Sequence, residues 1–547
     1  MKLHAWLPVI AAVLVASPAL FIVVNLHWFF LQNASYVGFD DGYTVALAER
    51  IIDGNWLPYV DGCSHRGPVL YWLVAVAQKL TGRFNWIGPR SLMFAASLVT
   101  LIAMLGTGFV ARLPLAGAVG ALLWVYLGLI AHDTDSAFGV TGESIAAALG
   151  MLALFFLAWG LIRATRFRNR VLLVALSGIA AAMAGFTKQT AFPAAVPLFA
   201  WLFCAALSLE GFTRRQRLGL LGAFVGGILG VVVIVLSRYV IGGHMRTFWY
   251  WFYTYNREVY MAPMREVPFS SDFDNWARGQ HWAFFAIALA ASWGLARPLA
   301  EVRSLRDLLG GYSRAGLEVT TSALVLVVFA AVASPQRFWP TYFIMVFPFM
   351  AMAAGVQLAL AMGRAQGHPW ARFAGALLLG GALSSWIGYA ARLRVKEVAN
   401  DFKSERRKPA LPEPICDLLD KYGSKDDFLF VWGFDADFYV TCKRHPATRF
   451  TYLTLVAGTV PPAWNDIRPE RQARNARRDL MHDLEVSRPA VVLNSPGSMR
   501  NVGIHTVPEL TDWLKRDYCP IAPVKSRNGR QSDVWVRRDL TPCTDGG

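Results

Sequence analysis

Charge is what this chain has least of. Asp, Glu, Lys and Arg make up 16% of its 547 residues, against roughly 25% in a typical soluble domain. That shortage excludes an ordinary water-soluble enzyme. Apolar residues fill the gap at 55%, with a mean hydropathy of +0.37. Cysteine is also rare, six in all, and none stands in CxxC or Cys/His zinc spacing, which removes a structural zinc site. No internal repeat or low-complexity tract is present. The first apolar run, Leu7 to Leu31, has no small-x-small cleavage site and is far longer than the core of a signal peptide. It reads as an uncleaved first span. Acidic residues are outnumbered 37 to 53, giving a formal net charge of +16. The arginines sit in short loops between apolar runs, so this excess marks orientation in a membrane and not a nucleic-acid surface.

What is present is a succession of apolar runs of about 17–25 residues, the length that crosses a hydrocarbon core of about 30 Å. They fall at 7–31, 88–111, 114–131, 144–162, 171–187, 190–209, 218–241, 281–296, 315–333, 339–361 and 371–391, eleven in all. Two are irregular: 281–296 is short, and 88–111 opens on Pro89 and Arg90. With the N-terminus in the cytoplasm, the loops on that side hold Arg112, the Arg163–Arg170 cluster, Arg214, Arg215, Arg217, Arg297, Arg303, Arg306, Arg314, Arg364 and Arg372. The short opposite loops, near His132, Lys188 and Pro335, are almost free of basic residues, so positive-inside holds at every short loop. An odd number of spans then places the C-terminal part outside, in the periplasm of a Gram-negative cell, with the protein in the inner membrane.

The expected fold is a polytopic α-helical membrane protein of about eleven transmembrane helices with a C-terminal extracytoplasmic α/β domain. The membrane domain covers 1–391, with large outer loops at 32–87 and 242–280, and the α/β domain covers 392–547. In that tail FLFVWG (428–433), AVVLNS (490–495) and SDVWVRR (532–538) have strand character, and 469–485 and 508–517 have helical patterns. Cys416 and Cys442 flank the first strand and Cys519 and Cys543 flank the terminal hairpin; an oxidising compartment allows both pairs as disulfides, with free thiols as the alternative.

Candidate chemistry begins in the first loop. Asp40 and Asp41 open an amphipathic helix whose Val45, Leu47, Ala48, Ile51 and Ile52 form a stripe suited to lying on a membrane surface. One aspartate suffices as a helix cap; two invite another explanation. His65-Arg66-Gly67-Pro68 puts a basic residue in a turn ahead of the next helix, where simple snorkelling is the plainer reading. Lys188 stands in a very short turn between two spans, on the side where cations are otherwise avoided. An ammonium isolated there calls for an anionic partner. Glu143 starts the fourth span, where a helix N-terminus favours an acid in any case. Arg337 and Tyr342 open the tenth span, and an interfacial aromatic belt accounts for the tyrosine but not for the arginine. The segment 244–265 is dense in aromatics and reads either as a lid or as a belt helix.

These residues come from separate segments yet map to one membrane face. A carboxylate base with several cations is what glycosyl transfer from a lipid phosphate requires. The base takes the acceptor hydroxyl proton, and Arg and Lys hold the phosphate and stabilise the charge growing on it. Asp40, Asp41 and Glu143 could also gather a divalent cation, although no ligand spacing demands one.

FDDGYTVALAERIIDGNWLPY followed by SHRGPVLYW resembles the first-loop signature of the dolichyl-phosphate-mannose protein mannosyltransferase superfamily, including lipid A aminoarabinose transferases and rhizobial lipopolysaccharide galacturonosyltransferases. GFTKQTAF is similar to that family's second phosphate-binding lysine segment, RFWPTYFIMVFP to its Arg-aromatic-Pro-His-Tyr segment, and VWGFDADFYVTCKRHPATRF to the start of the bacterial tail. The resemblance implies a GT-C fold, Asp40 as base with Asp41 next in line, and Lys188 as a donor-phosphate ligand. Arg66 stands where the family more often has lysine, and Thr341 where many members have histidine. The function so implied is an inverting inner-membrane glycosyltransferase, using a polyprenyl-phosphate sugar as donor and a lipid or glycan acceptor such as lipopolysaccharide. A protein O-mannosyltransferase-like enzyme and, in another class, a lipid-linked-sugar flippase are the alternatives. A flippase calls for ionisable residues near mid-span, and the spans read as clean apart from residues such as Asn25 and Arg238.

Overall fold

The computed structural model describes residues 6–32, 39–131, 138–208, 212–260, 286–296, 314–335, 340–364, 368–403, 413–459, 467–495, 502–526 and 531–543. Among these, nine helices are long and apolar enough to cross a membrane, and two shorter apolar helices, Pro114–Ile130 and Ala286–Ala296, fall on the remaining expected spans. The chain is a multi-pass membrane protein.

Contacts divide it into two compact units. The first comprises Met1–Trp28, Met93–Ser237 and Pro263–Lys396. It is a helical bundle in which small residues let backbones approach, since lipid supplies no hydrophobic drive between helices. A Cβ on Gly178 would strike the Phe224 carbonyl, and one on Gly227 the Ala175 carbonyl, so helices Phe167–Thr187 and Arg214–Ile241 meet backbone to backbone.

The second unit gathers Phe29–Leu92, Arg238–Ala262 and Glu397–Gly547. Its centre is a five-stranded sheet of β1 (Phe428–Gly433), β2 (His445–Pro446), β3 (Val491–Ser495), β4 (Tyr518–Lys525) and β5 (Gln531–Arg537), ordered β2-β1-β3-β5-β4. β1 is parallel to both β2 and β3, while β5 runs antiparallel to β3 and β4. β3 is buried along its whole length and β1 at every residue after Phe428, as a covered parallel pair requires. The three expected strands are therefore present. The 508–517 helix is also present, while 469–485 resolves into a 3₁₀ turn, Pro469–Arg471, and a helix, Ala476–Ser487. Disulfides join Cys416 to Cys442 and Cys519 to Cys543, with Cα separations of 4.9 and 5.2 Å.

Two expectations need correction. The first-loop helix, Phe39–Asp53, does not lie on a surface: from Asp41 to Glu49 every residue is buried, polar ones included. It packs against helices Pro68–Thr81 and Asp437–Thr441 and against β2. Gly42 permits this, because a Cβ there would sit 2.6 Å from the Asp437 nitrogen. The span at 339–361 is broken into helices Pro340–Phe343 and Phe347–Arg364. Pro348, the second residue of the latter helix, has no N–H for the carbonyl four residues earlier, which favours a break at this point. Arg90, which opens the second span, is buried, and its guanidinium donates to the Phe30 carbonyl at 2.8 Å, one of the orphan carbonyls of the first helix.

Gly42→Ala is expected to cost about 1–3 kcal/mol by overpacking this joint. Scanning fluorimetry should show a lower melting temperature, and limited proteolysis faster cleavage of the tail. Unchanged values in both would mean the two helices do not meet this closely in solution.

Candidate functional site

In the second unit, one candidate cluster is built around Arg66. Gly67 caps the helix Pro68–Thr81 in extended geometry and Pro68 occupies its first position, so Arg66 is held in the turn just outside. Tyr59 adopts φ +73°, a left-handed conformation rare for a bulky residue. Its hydroxyl donates to the Arg66 carbonyl at 2.6 Å, which fixes the strained turn. The buried guanidinium donates to Thr44 Oγ1 at 3.0 Å and lies 5.6 Å from the Tyr43 ring centre. Thr44 comes three residues after Asp41, so the two share a helix face one turn apart. Asp41 is buried in that first turn. Asp40 is helical, and its side chain lies outside the described residues.

Tyr71, Ser64 and Tyr43 brace this cradle: the Tyr71 and Ser64 hydroxyls meet at 2.6 Å, and Tyr71 donates to Tyr43 at 3.2 Å. His65, beside Arg66, stacks on Tyr260 at 4.2 Å between ring centres and faces Tyr452 at 6.4 Å. Its carbonyl accepts from Asn256 at 2.8 Å. The aromatic segment is described from His244 to Tyr260. It forms a helical run in which Phe248, Trp251 and Tyr255 turn inward, Phe248 against Tyr59, while Trp249 and Tyr253 stay exposed.

In the first unit, a separate candidate cluster is built around Lys188. It is a single extended residue (φ −143°, ψ 119°) between the helix Phe167–Thr187 and the 3₁₀ turn Gln189–Ala194. Its ammonium is buried and lies 2.6 Å from Glu143 Oε1 and 4.7 Å from the Tyr342 ring centre. The anionic partner that the sequence called for is therefore Glu143. Glu143 is also in the first turn of its own helix, Gly142–Ala158, which Thr141 caps through Ser144. A narrow apolar cavity begins one turn below, lined by Ala146, Ala147, Gly150, Ala184, Ala191 and Phe349. Arg337 lies outside the described residues.

Among the described residues no group of three His, Cys, Asp or Glu side chains is placed to hold a metal. Glu143 is engaged by an ammonium, a donor set unsuited to a cation.

Several residues that matter were not legible in the sequence. Glu318 is a buried carboxyl in the helix Arg314–Ala333, bound by Gln357 Nε2 at 2.9 Å. The spans are less clean than they read, although Glu318 sits one turn from the helix start and not at mid-span. Glu49 is buried under Arg83 (2.7 Å), Gln78 and the Phe84 N–H (2.8 Å). Arg83 also reaches Asp53 at 2.6 Å, and Asp53 meets His445 at 2.5 Å, tying the first loop to β2. Burial works to raise the Asp53 pKa, but His445 and Arg83 outweigh it and the carboxyl titrates below its ordinary range. Asp437 behaves oppositely: desolvation against the first-loop helix pushes it up to about 6.

A multi-pass helical bundle joined in sequence to a sheet-bearing unit is the GT-C type of membrane fold, which two solved structures share with this chain. ArnT from Cupriavidus metallidurans bound to undecaprenyl phosphate matches with a TM-score of 0.56 and 13% identity, over 99% of this chain and 100% of that one. Its apo state matches with a TM-score of 0.57 and 15% identity, over 96% and 98%. An Archaeoglobus fulgidus oligosaccharyltransferase in the apo form reaches 0.48 at 14% identity, over 90% and 69%. No protein-family model and no curated protein matches the chain.

A carboxyl raised in the folded state contributes stability below its unfolded pKa of 3.8 and loses it as pH climbs through about 6. The penalty at neutral pH is at most about 3 kcal/mol. Asp437→Asn is therefore expected to raise the melting temperature at pH 7.5 and to give no gain at pH 3.5. Equal effects at both pH values would show that the Asp437 charge is not desolvated.

Proposed function

We propose that the protein is a membrane glycosyltransferase that moves a sugar from a polyprenyl-phosphate carrier to an acceptor on the outer face of the inner membrane. The acceptor is lipopolysaccharide or another envelope glycan. The observation that carries this reading is the docking of Arg66 onto Thr44 and Tyr43, in the helix whose first turn holds Asp40 and Asp41. Phosphate ligand and carboxylate base are thereby supplied by one rigid piece of the chain. The undecaprenyl phosphate named for the ArnT structure of the same fold supports the choice of carrier.

Asp40 takes the proton of the acceptor hydroxyl, with Asp41 as the second candidate. The freed oxygen forms a bond to the anomeric carbon while the bond from that carbon to the phosphate oxygen breaks, with inversion. The electron pair leaves on the polyprenyl phosphate, whose growing charge is met by Arg66, Lys188 and Arg337. Phosphate leaves readily as an anion, so no general acid is needed. His65 and Tyr342 line the positions beside two of these cations. Arg66, in place of a lysine, grips phosphate as a two-pronged fork.

Purified protein incubated with labelled polyprenyl-phosphate sugars should consume donor only when acceptor is present; transport without bond cleavage would point to a flippase. Asp40→Asn is expected to lower turnover by about 10²–10⁴-fold with the fold intact, and near-normal turnover would remove it as the base. Lys188→Ala should weaken donor use more than acceptor use, by about 10²-fold or more; equal dependence on both substrates would remove its assigned role. Envelope glycans of a deletion strain, compared with the parent, identify the acceptor.

A further inference from the structure

We infer that Glu143 is a built-in competitor for phosphate at Lys188, and that it drives release of the spent polyprenyl phosphate. The inference rests on the phosphate-binding role proposed for Lys188. The two side chains meet at 2.6 Å and are only 9% and 3% exposed, so the ion pair is shielded from water. A carboxylate offers a lysine what a phosphate offers, an anionic oxygen, and both compete for the same ammonium.

The two anchors differ in freedom. Glu143 is fixed in the first turn of a capped helix. The backbone of Lys188 is held too, by Ala184 and Ala191 at 2.9 Å each, but its ammonium is carried on a longer, flexible four-carbon stem beside the Tyr342 ring. The ammonium can therefore swing to an arriving phosphate while the carboxylate stays behind. An arriving phosphate then meets a like charge close by, in a site of low dielectric where repulsion is strong.

The charges of donor and product make this repulsion useful. A polyprenyl-phosphate sugar is a phosphodiester with one negative charge. Once the sugar has gone, the carrier is a monoester with a charge of about −1.5 to −2 at neutral pH. Glu143 thus opposes the product more than the donor, and reclaims Lys188 when the product departs. It acts through Lys188 and is a positioning residue.

The sign of the predicted effect separates this role from a structural one. The full-length protein in detergent is titrated with farnesyl phosphate, a short monoester probe, with farnesol as the control for the tail. Glu143→Gln is expected to bind farnesyl phosphate at least about tenfold tighter than the parent. Farnesol binding should stay unchanged. Turnover should fall, KM for the donor should fall with it, and inhibition by added polyprenyl phosphate should rise. Equal or weaker farnesyl phosphate binding by folded Glu143→Gln protein overturns the inference. If that variant does not accumulate, Glu143→Asp, which draws the charge back by one methylene, should still tighten binding severalfold; equal or weaker binding overturns it too. Failure of the underlying reading looks different: the parent and Lys188→Ala would then bind farnesyl phosphate equally.

Discussion

An ionised side chain taken out of water needs a partner, and this structure is organised around that requirement. Each buried charge that bears on the site is met at close range. Lys188 has Glu143, Arg66 has Thr44 and the Tyr43 ring, and Arg90 has the carbonyl of Phe30. Glu49 has Arg83 and Gln78, and Glu318 has Gln357. Losing one partner of such a pair strands the other, which typically costs more than the pair was worth.

The second unit shows how a soluble-looking sheet can serve a membrane-borne motif. Its parallel strands β1 and β2 bracket the helix Asp437–Thr441, and that helix meets the first-loop helix at Gly42. The Asp53–His445 contact and the bond from the Cys63 N–H to the Arg449 carbonyl at 2.8 Å add two further ties. Arg449 is itself clamped by Asp483 through two guanidinium bonds of 2.9 and 2.6 Å, which raises its already high pKa. The loop carrying Asp41 and Arg66 is thus part of a packed core. A group meant to abstract a proton or hold a phosphate gains from that rigidity, since small displacements cost large factors in rate.

Hydropathy determined the spans by itself. A helix in lipid must satisfy its own backbone hydrogen bonds, so length and composition suffice to mark it; every expected span has a helix on it, even the short one at Ala286–Ala296. Strands β1, β3 and β5 and the Arg66 turn were likewise legible, because each rests on local chemistry, while the two disulfides were one of two readings the sequence left open. The isolation of Lys188 on its side of the membrane was enough to require an anion near it.

Tertiary structure decided the rest. An apolar stripe looks the same whether it meets lipid headgroups or a protein core, so the burial of the first-loop helix could not be read from its pattern. The partners in these contacts are separated by tens to hundreds of residues: 45 between Glu143 and Lys188, 22 between Thr44 and Arg66, 392 between Asp53 and His445. No local signal links them, because the pairing is imposed by helices and strands packing in three dimensions. The sequence named the cations and acids of the site, while only the fold decided which of them hold one another.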